Sequence, residues 1–486
     1  MKKKIAFLIL FFAACLLPVA LMLLGVKGPN YEKRALASVP ALVDKDGLNL
    51  DFPREFETYL TDNFGLRPAL VSLNAALSYY VLGDSTNEKV IAGRDGWLYF
   101  NEELADYERS TALSAVELDR LCRTLALEQE YVRSRGAAFL FVIAPNKSSV
   151  YPEYMPARFA RLDGPGAAAQ LNDALAKEGV AHADLFGLLN GSKGIGQLYH
   201  KKDTHWNNLG AWLGYREIVN LLADQNPKVP AVNEEPGPYK VTRDFAGDLE
   251  TMLMPAFENK DEQMDFGWEQ NYTTVKPMRS PEDMDIQTRS KSNGLSVLMY
   301  RDSFTNALLP ILSNQFGQVH YTRAVPYDYS LMDSDKPDAV VLQIVERNIR
   351  NMLQRAPKMP APLRPEVKPD PTAPTAGGAV MVQAEGDAVR FAGYVIPEGG
   401  AVDGRVYVEL YNKNGSWVLE PFQIFDQIQV ESIDPADVTG EMRLGAFSML
   451  LDSSVTGKGT FQYRVYAETA GQWVVMRGGD KTVKIK

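Results

Sequence analysis

Apolar runs and amphipathic stretches alternate through the middle of the chain. Continuous apolar runs at 138–144, 295–300 and 339–345 have the length and composition of strands that are covered on both faces. Around them, apolar residues recur at three- and four-residue spacing, which predicts helices at 114–136, 167–178, 207–222 and 304–316. Strands that alternate with helices favour a largely parallel sheet. We therefore predict an α/β fold with helices on both faces of the sheet.

The last quarter of the chain has a different pattern. Residues 356–378 contain seven prolines and end in two glycines, which is typical of an extended, semi-rigid linker. Beyond it, apolar and polar positions alternate at 406–411, and Asn414-Gly415 is a strong hairpin signal. The predicted regions after the N-terminus are an α/β domain at 28–355 with an irregular acidic insertion at about 227–293, the linker at 356–378, and a β-sandwich module at 379–486.

The chain begins with three lysines and then 22 residues without a charge, Ile5–Val26. A helix of that length crosses ~30 Å of hydrocarbon. The basic start stays in the cytoplasm under the positive-inside rule, so we expect residues 1–27 to anchor the protein in the inner membrane, facing the periplasm. A cleaved signal peptide is the alternative, and the protein is then periplasmic. A lipoprotein site at Cys15 is a third interpretation, which the surrounding residues fit poorly.

Composition narrows the function classes. The 51 basic and 61 acidic residues give a net charge of −10, so a nucleic-acid partner is not expected, because phosphate contacts need a basic face. Cys15 and Cys122 cannot form a disulfide framework or a cysteine-based zinc site. No spacing of histidines with acidic residues predicts a metal site, and we expect His182, His200 and His320 to be structural.

Asp203-Thr204-His205-Trp206 is the first candidate for catalysis. In an extended stretch, residues two apart project to the same side, so Asp203 can accept a hydrogen bond from one ring nitrogen of His205. The other ring nitrogen then faces a nucleophile, which is the arrangement of a hydrolase or an acyltransferase. The alternative is structural: Asp203 caps the following helix, and His205 packs against Trp206.

Ser303 is the matching candidate for the nucleophile. It follows a buried strand and precedes a helix, at the carboxyl edge of the predicted sheet, where sites of α/β proteins gather. The free N–H groups of a helix N-terminus can also stabilise an oxyanion. The alternative is that Ser303 only caps the helix.

The segment Pro145–Tyr151 leaves the first buried strand, and the same edge argument places it near Ser303. Lys147 would meet an anionic sugar, Asn146 would donate to the oxyanion, and Tyr151 would add a substrate contact. The alternative is a solvated loop.

Four segments together carry a resemblance to a known family. They occur in the order Ile91–Tyr99, Phe141–Lys147, Asp203–Trp206 and the strand that leads to Asp302-Ser303. With them, residues 32–350 resemble the SGNH-hydrolase-like proteins of bacterial exopolysaccharide acetylation, which include the alginate O-acetyltransferase type and the related DHHW family. The resemblance implies an SGNH-hydrolase-like, flavodoxin-like sheet.

The resemblance also implies residue roles. Ser303 would accept the acyl group, His205 would be general base and acid, and Asp203 would orient His205. The family's Asp and His precede the Ser, as they do here. The glycine that is common before Asp-Ser is Arg301 in this chain, so Arg301 is a further candidate for the oxyanion or substrate site.

The resulting hypothesis is an exported O-acetyltransferase that acts on an exopolysaccharide through an acetyl-serine. No bound cofactor is expected, and the resemblance implies a membrane-embedded acyltransferase partner that supplies acetyl groups. The β-module would hold the polymer or a partner. Its candidates for stacking on sugar rings are Tyr407, Tyr411, Trp417 and Trp473. The alternative is that they belong to the core of the module, as aromatic residues in strands more often do. A carbohydrate esterase with the same triad and a non-catalytic polysaccharide-binding or secretion scaffold remain alternatives.

Overall fold

A seven-stranded sheet forms the centre of the α/β region in a computed structural model of the chain, which describes residues 2–24, 36–44, 47–257, 260–424 and 439–485. The sheet order is β6-β5-β13-β11-β12-β10-β9. Neighbours from β6 to β12 are parallel, and β10 and β9 are antiparallel. The strands are β5 Ala138–Ala144, β6 His182–Ala183, β9 Tyr272–Thr274, β10 Asp285–Ser290, β11 Ser296–Tyr300, β12 Gln318–Thr322 and β13 Ala339–Val345.

Helices cover both faces of this sheet because the inner strands are largely apolar and buried on both faces. Along β5, Leu140 and Val142 face one apolar core, whereas Phe139 and Phe141 face the other. The helices of the region are α4 Leu104–Tyr107, α5 Ala115–Ser134, α6 Lys147–Val150, α7 Ala167–Glu178, α8 Leu185–Gly191, α9 Asn208–Gln225, α10 Asp248–Leu253, α11 Leu309–Gln315 and α12 Leu331–Asp335. An α/β fold is therefore present.

Short elements complete the region. A hairpin of β3 Val90–Ala92 and β4 Leu98–Phe100 turns through Asp95 and Gly96, which both have positive φ. A second hairpin consists of β7 Lys240–Phe245 and β8 Asp261–Asp265. Single 3₁₀ turns lie at Asn101–Glu103, Pro152–Tyr154, Lys193–Ile195, Ser303–Ala307 and Glu346–Leu353.

The insertion at 227–293 differs from the prediction of an irregular segment. It contains the β7–β8 hairpin and α10, and its last part adds β9 and β10 to the central sheet. Its polar composition hid these strands because one face of an edge strand remains accessible to water.

The C-terminal module is β-rich, as predicted. A three-stranded sheet, β14-β15-β18, and a four-stranded sheet, β17-β16-β19-β20, share one apolar core. The elements are β14 Gly377–Glu385, β15 Ala388–Ile396, β16 Val406–Asn412, β17 Gly415–Leu419, α13 Gly440–Leu444, β18 Ala446–Leu451, α14 Ser453–Thr456, β19 Gly459–Thr469 and β20 Gln472–Ile485.

The proline-rich segment, predicted as an extended, semi-rigid linker, is hydrogen-bonded to the β-rich module. Ala361 N–H donates to the carbonyl of Leu450 on β18 at 2.9 Å, and Arg364 N–H donates to that of Val418 on β17 at 2.8 Å. The segment thus pairs with β18, an outer strand of the three-stranded sheet, and with β17, an outer strand of the four-stranded sheet.

The N-terminal elements are α1 Lys2–Leu23, β1 Val43–Asp44, β2 Gly47–Leu48, α2 Phe52–Asn63, α3 Arg67–Leu77 and a π-helical turn, Ser78–Leu82. Among the described residues, no helix has the length and hydropathy that crossing a bilayer requires. The predicted anchor, residues 1–27, lies partly outside the described residues and stays a prediction.

Candidate active site

The Asp203–Trp206 segment lies in a tight loop directly before α9. A bridge between Tyr199 and Trp206 closes the loop. The Asn207 side chain accepts hydrogen bonds from Leu209 N–H at 3.0 Å and Gly210 N–H at 3.1 Å. Asn207 is therefore the cap of α9, and the Asp203 carboxylate is free for another role.

The nucleophile turn follows β11 at the carboxyl edge of the sheet. The Asp302 carboxylate accepts hydrogen bonds from Phe304 N–H at 2.9 Å, from the Gln343 side chain at 2.9 Å and from Val345 N–H at 2.6 Å. Asp302 is thus the cap that fixes the turn to β13, and the Ser303 hydroxyl is not used for capping.

The two segments meet, although 98 residues separate His205 from Ser303. His205 Nδ1 donates to Asp203 Oδ1 at 2.6 Å, and Ser303 Oγ lies 2.8 Å from His205 Nε2. The Trp206 indole donates to the carbonyl of Phe304 at 2.9 Å, which ties the histidine loop to the nucleophile turn. The structure therefore brings Ser303, His205 and Asp203 into one hydrogen-bonded chain with the geometry of a catalytic triad.

The electrostatics suit proton transfer. Burial raises the pKa of Asp203, but the charge and hydrogen bond of His205 outweigh burial and hold that pKa well below its ordinary value. Burial lowers the pKa of His205, but the charge and hydrogen bond of Asp203 outweigh burial and raise it above its ordinary value. An ionised Asp203 thus makes His205 a stronger base.

Asp248, the first residue of α10, is a second carboxylate at the site that sequence reasoning missed. It accepts hydrogen bonds from Thr204 N–H at 2.8 Å and Thr204 Oγ1 at 2.7 Å. Its own N–H donates to Asp203 Oδ2 at 2.8 Å, and its carboxylate lies 3.9 Å from His205 Nδ1. Burial, followed by the charge of Asp203, raises the pKa of Asp248 to about 6. No motif marks Asp248, because it lies in the acidic insertion among many carboxylates.

Asp203, His205 and Asp248 also form a potential metal-ligand group, since one ligand atom from each lies within 4.8 Å of the others. Hydrogen bonds already use these atoms: Asp203 Oδ1 accepts from His205, and Asp248 Oδ2 accepts from Thr204. We therefore interpret the group as an orienting network for His205.

Lys147 does not face a substrate, in contrast to the prediction. Its side chain is fully buried, and its ammonium donates to the carbonyls of His200 at 3.1 Å, Lys201 at 3.1 Å and Asp203 at 2.5 Å. Burial lowers its pKa to about 8. Lys147 holds the loop that carries Asp203.

Asn146 is also buried, and its amide serves the protein itself. Its side-chain N–H donates to Asp106 at 3.0 Å, and its oxygen accepts from Arg347 at 3.2 Å. The Arg347 guanidinium lies 5.8 Å from the centroid of the Phe304 ring. Asn146 therefore positions Arg347 beside the nucleophile turn, and its amide, predicted as an oxyanion donor, is buried against these internal partners.

Tyr151 and Arg301 make internal contacts as well. The Tyr151 hydroxyl accepts from Leu198 N–H at 2.9 Å, and its ring lies 4.5 Å from that of Trp97. The Arg301 guanidinium donates to the carbonyls of Pro281 at 2.7 Å and Asp283 at 2.9 Å. Both side chains are buried and use these groups for internal contacts.

A cavity of about 400 Å³ with a mixed polar and apolar lining borders Asp302, and its lining does not include Ser303 or His205. It lies where the chain leaves β11, β12 and β13, which is the edge where α/β proteins bind ligands. Amides and guanidinium groups contribute to its lining, from Arg301, Asn348, Asn351, Gln354 and Arg355.

The aromatic residues of the module are largely packed against each other. Trp417 makes an edge contact with Phe461 at 5.5 Å, and Tyr407 makes one with Trp473 at 5.8 Å. Tyr411 lies beneath the Arg464 guanidinium at 4.4 Å. The role of these side chains in sugar binding stays a prediction.

Part of the chain is similar to known proteins. Residues 90–287 match the sequence model of the SGNH hydrolase-like domain of acetyltransferase AlgX. A relative from Pseudomonas syringae pv. tomato, named probable alginate O-acetylase AlgJ, is 25% identical over 248 residues, which are 49% of this chain and 59% of the relative. The Pseudomonas aeruginosa protein of the same name is 28% identical over 198 residues, 39% of this chain and 46% of the relative.

These matches span about half the length of the curated relatives. Among solved structures, that of Bacillus cereus PatB1 is similar with a TM-score of 0.43 and 17% identity, covering 54% of this chain and 96% of that one. The matched domain contains Asp203 and His205, and Ser303 follows it. The resemblance predicted from the sequence is therefore confirmed at the level of similarity: residues 90–287 match the SGNH hydrolase-like domain of acetyltransferase AlgX.

Proposed function

We propose that this protein transfers acetyl groups to hydroxyls of an exopolysaccharide through Ser303. The observation that carries the proposal is the chain Ser303 Oγ–His205 Nε2, at 2.8 Å, and His205 Nδ1–Asp203 Oδ1, at 2.6 Å. The names of the relatives, alginate O-acetylases, support a polysaccharide as acceptor.

The first half-reaction loads the enzyme. His205 Nε2 takes the Ser303 proton as Oγ attacks the acetyl carbonyl of the donor, and Asp203 stabilises the imidazolium. His205 then gives the proton to the leaving group, which leaves an acetyl ester on Ser303. Ser303 N–H opens the 3₁₀ turn, where the first N–H groups lack partners within the helix, and it is our candidate donor to the oxyanion.

The second half-reaction reverses these roles. A sugar hydroxyl attacks the acetyl-serine while His205 takes its proton, and the same proton returns to Ser303 Oγ as the ester bond breaks. The cavity beside Asp302 has amide and guanidinium groups in its lining, among them Asn348, Asn351 and Arg355, which suit a hydroxyl-rich polymer. It is our candidate for the acceptor site, next to the nucleophile turn.

We also propose where the protein works and which kind of partner provides its acetyl groups. The basic and apolar N-terminus supports export with retention at the inner membrane. Acetyl donors made in the cytoplasm must then cross that membrane, so a membrane-embedded acyltransferase partner completes the proposal. The β-module, fixed against the α/β domain, would guide the polymer.

The test compares the purified full-length chain with Ser303→Ala and with a matched exposed serine, Ser334→Ala. Each is given a chromogenic acetyl ester with and without an oligosaccharide acceptor. We expect Ser303→Ala to lower ester cleavage by ~10³-fold or more, whereas Ser334→Ala leaves it unchanged. A gain of acetyl mass on the sugar, dependent on Ser303, supports transfer. Cleavage that only releases acetate, with acetylated polymer stripped instead, indicates an esterase. Equal rates for all three chains refute the triad and leave the binding scaffold.

A further inference from the structure

Helix α3 and the π-helical turn that follows it are unusual in charge. After Arg67, the 15 residues Pro68–Leu82 contain no charged side chain. A helix on the surface of a soluble domain normally carries charges on its outer side. The outer side of this one lacks such charges.

The amphipathicity of this segment is inverted. The buried side, which packs on a small apolar cluster with Leu249 and Leu253 of α10, presents Ser72, Ala75 and partly buried Ala76. The outer side carries large apolar side chains, which we call the α3 face: Leu66, Leu70, Val71, Leu73, Leu77, Tyr80, Val81 and Leu82. Leu77 is 56% exposed and Val81 is 72% exposed. Contiguous apolar surface of this kind marks an interaction site.

The α3 face continues into the surface of α1. A Cβ atom at Gly65, in the turn between α2 and α3, would lie 2.4 Å from the carbonyl oxygen of Pro18 and 3.2 Å from the N atom of Met22. The last turns of α1 therefore touch this turn. After Lys4, most of the described side chains of α1 are apolar and exposed, among them Phe7 at 67% and Phe12 at 54%, whereas Pro18 is buried. One apolar surface thus runs from α1 to Leu82.

We propose that the α3 face lies on a phospholipid bilayer, in the plane of the interface. Two observations favour lipid as the occupant. The face is continuous with the apolar helix α1, and it carries no charge that a polar partner would need to neutralise. Tyr80, which is 67% exposed, has the amphipathic ring that is enriched at membrane interfaces.

This placement sets the active site relative to the membrane. Ser72 Oγ on the buried side of α3 accepts a hydrogen bond from Ala256 N–H at 2.8 Å, just after α10. The first residue of α10 is Asp248, which donates to Asp203. One short helix therefore separates the bilayer-facing helix from the triad. The inference goes beyond the proposed acetyl transfer and does not depend on it.

The experiment places a fluorescent probe on the face in the full-length chain. In a background with Cys15→Ser and Cys122→Ala, Leu77→Cys is labelled with an NBD group and the protein is reconstituted into phosphatidylcholine vesicles. Leu162→Cys is the matched control, since Leu162 is also 56% exposed and lies outside the N-terminal helices. Photolabelling of the unaltered chain by a lipid that carries a diazirine gives a second readout without any substitution.

We expect the NBD emission at position 77 to shift to the blue and to be quenched by spin-labelled lipid, with no change at position 162. The lipid photolabel should be found within residues 66–82. Equal behaviour at positions 77 and 162 together with an unlabelled 66–82 segment overturns the proposal. Protection of position 77 only in vesicles that contain native membrane proteins also overturns it, in favour of a protein partner.

Discussion

Asp248 adjusts the histidine without touching the reacting atoms. Its charge raises the pKa of His205, and its N–H holds Asp203. Asp248→Asn keeps the backbone donor and removes the charge, so the pKa of His205 should fall. Since His205 must be neutral to act as a base, we expect the acidic limb of the pH profile of kcat/KM to move to lower pH.

The measurement is the kcat/KM of ester cleavage from pH 5 to 9. Above the pH at which His205 loses its proton, the rate of Asp248→Asn should stay within a few-fold of that of the unaltered protein. Asp244→Asn is the control, because Asp244 lies on β7 and bonds only Thr242 among the described residues. An unchanged acidic limb in Asp248→Asn would show that the charge of Asp248 does not reach His205.

Glu128 on α5 is a buried acid outside the site. Its side chain is fully buried, and neither carboxylate oxygen has a hydrogen-bond partner among the described residues. Burial raises its pKa to about 8. An unfolded glutamate ionises near its ordinary pKa, so between about pH 4.5 and 8 the unfolded state has lost a proton that the folded state keeps. The contribution of Glu128 to stability therefore falls as pH rises through that window.

We expect Glu128→Gln to remove this dependence. The free energy of unfolding of the variant, relative to the unaltered protein, should rise by up to about 1.4 kcal/mol per pH unit across the window. Urea unfolding at several pH values measures it, with exposed Glu102→Gln as control. Parallel curves for the Glu128→Gln and unaltered chains would mean that Glu128 ionises normally in the folded state.

At the scale of single residues, sequence reasoning succeeded where a chemical motif is local. Asp203 and His205 are two residues apart, and Ser303 follows an apolar strand, so their types and positions carried the signal. Lys147 could not be assigned in this way. Its burial depends on three carbonyls more than 50 residues away, which only the folded chain brings together.

Among the elements, the loop before α9 depends on one buried cation. Replacement of Lys147 by methionine keeps the apolar stem but leaves the carbonyls of His200, Lys201 and Asp203 without their donor. We expect a loss of about 2–4 kcal/mol in the free energy of unfolding. Urea unfolding checks this, and exposed Lys177→Met should change it by less than about 0.5 kcal/mol. A Lys147→Met chain as stable as the control would show that water replaces the ammonium.

Helices and strands were predictable where local signals agreed. The Ser114 hydroxyl and the Glu117 carboxylate cap α5 reciprocally, and Gly136 with positive φ follows its end. The strands of the insertion were not predictable, because β9 and β10 are polar and only β10 joins the rest of the sheet, through β12. The type of a helix or strand could therefore be predicted from its sequence pattern. The polar strands near the edge of the sheet can be recognised only from their pairing in the folded chain.

For the whole molecule, a charged cluster fixes the β-module to the α/β domain. The carboxylate of Glu420 is almost fully buried and forms ion pairs with Arg123 and, at 2.6 Å, with Arg364. Arg364 forms a further ion pair with Glu130 of α5 at 2.7 Å. Arg364→Ala leaves Glu420 with one partner. We expect a loss of about 3 kcal/mol in the free energy of unfolding and faster cleavage at exposed Glu366 by a Glu-specific protease.

The control is Arg158→Ala, which removes an exposed pair with Asp84 and should cost less than about 1 kcal/mol. If Arg364→Ala and Arg158→Ala unfold alike and resist the protease alike, other contacts hold the module. The sequence predicted that a β-rich module exists, but not how it is fixed, because Arg123 and Glu420 lie 297 positions apart and Arg364 and Glu130 lie 234 apart.

The hydrogen bonds of the proline-rich segment affect whether two copies of this protein can associate through their sheet edges. Its pairing with β17 and β18 occupies backbone groups that would otherwise be open at the edge of each sheet. An open edge is a template for another copy of the same strand, and proline cannot donate to such a ladder. By pairing with these two strands, the proline-rich segment thus disfavours edge-to-edge association of two copies of the protein, which is proposed to work among crowded polymer.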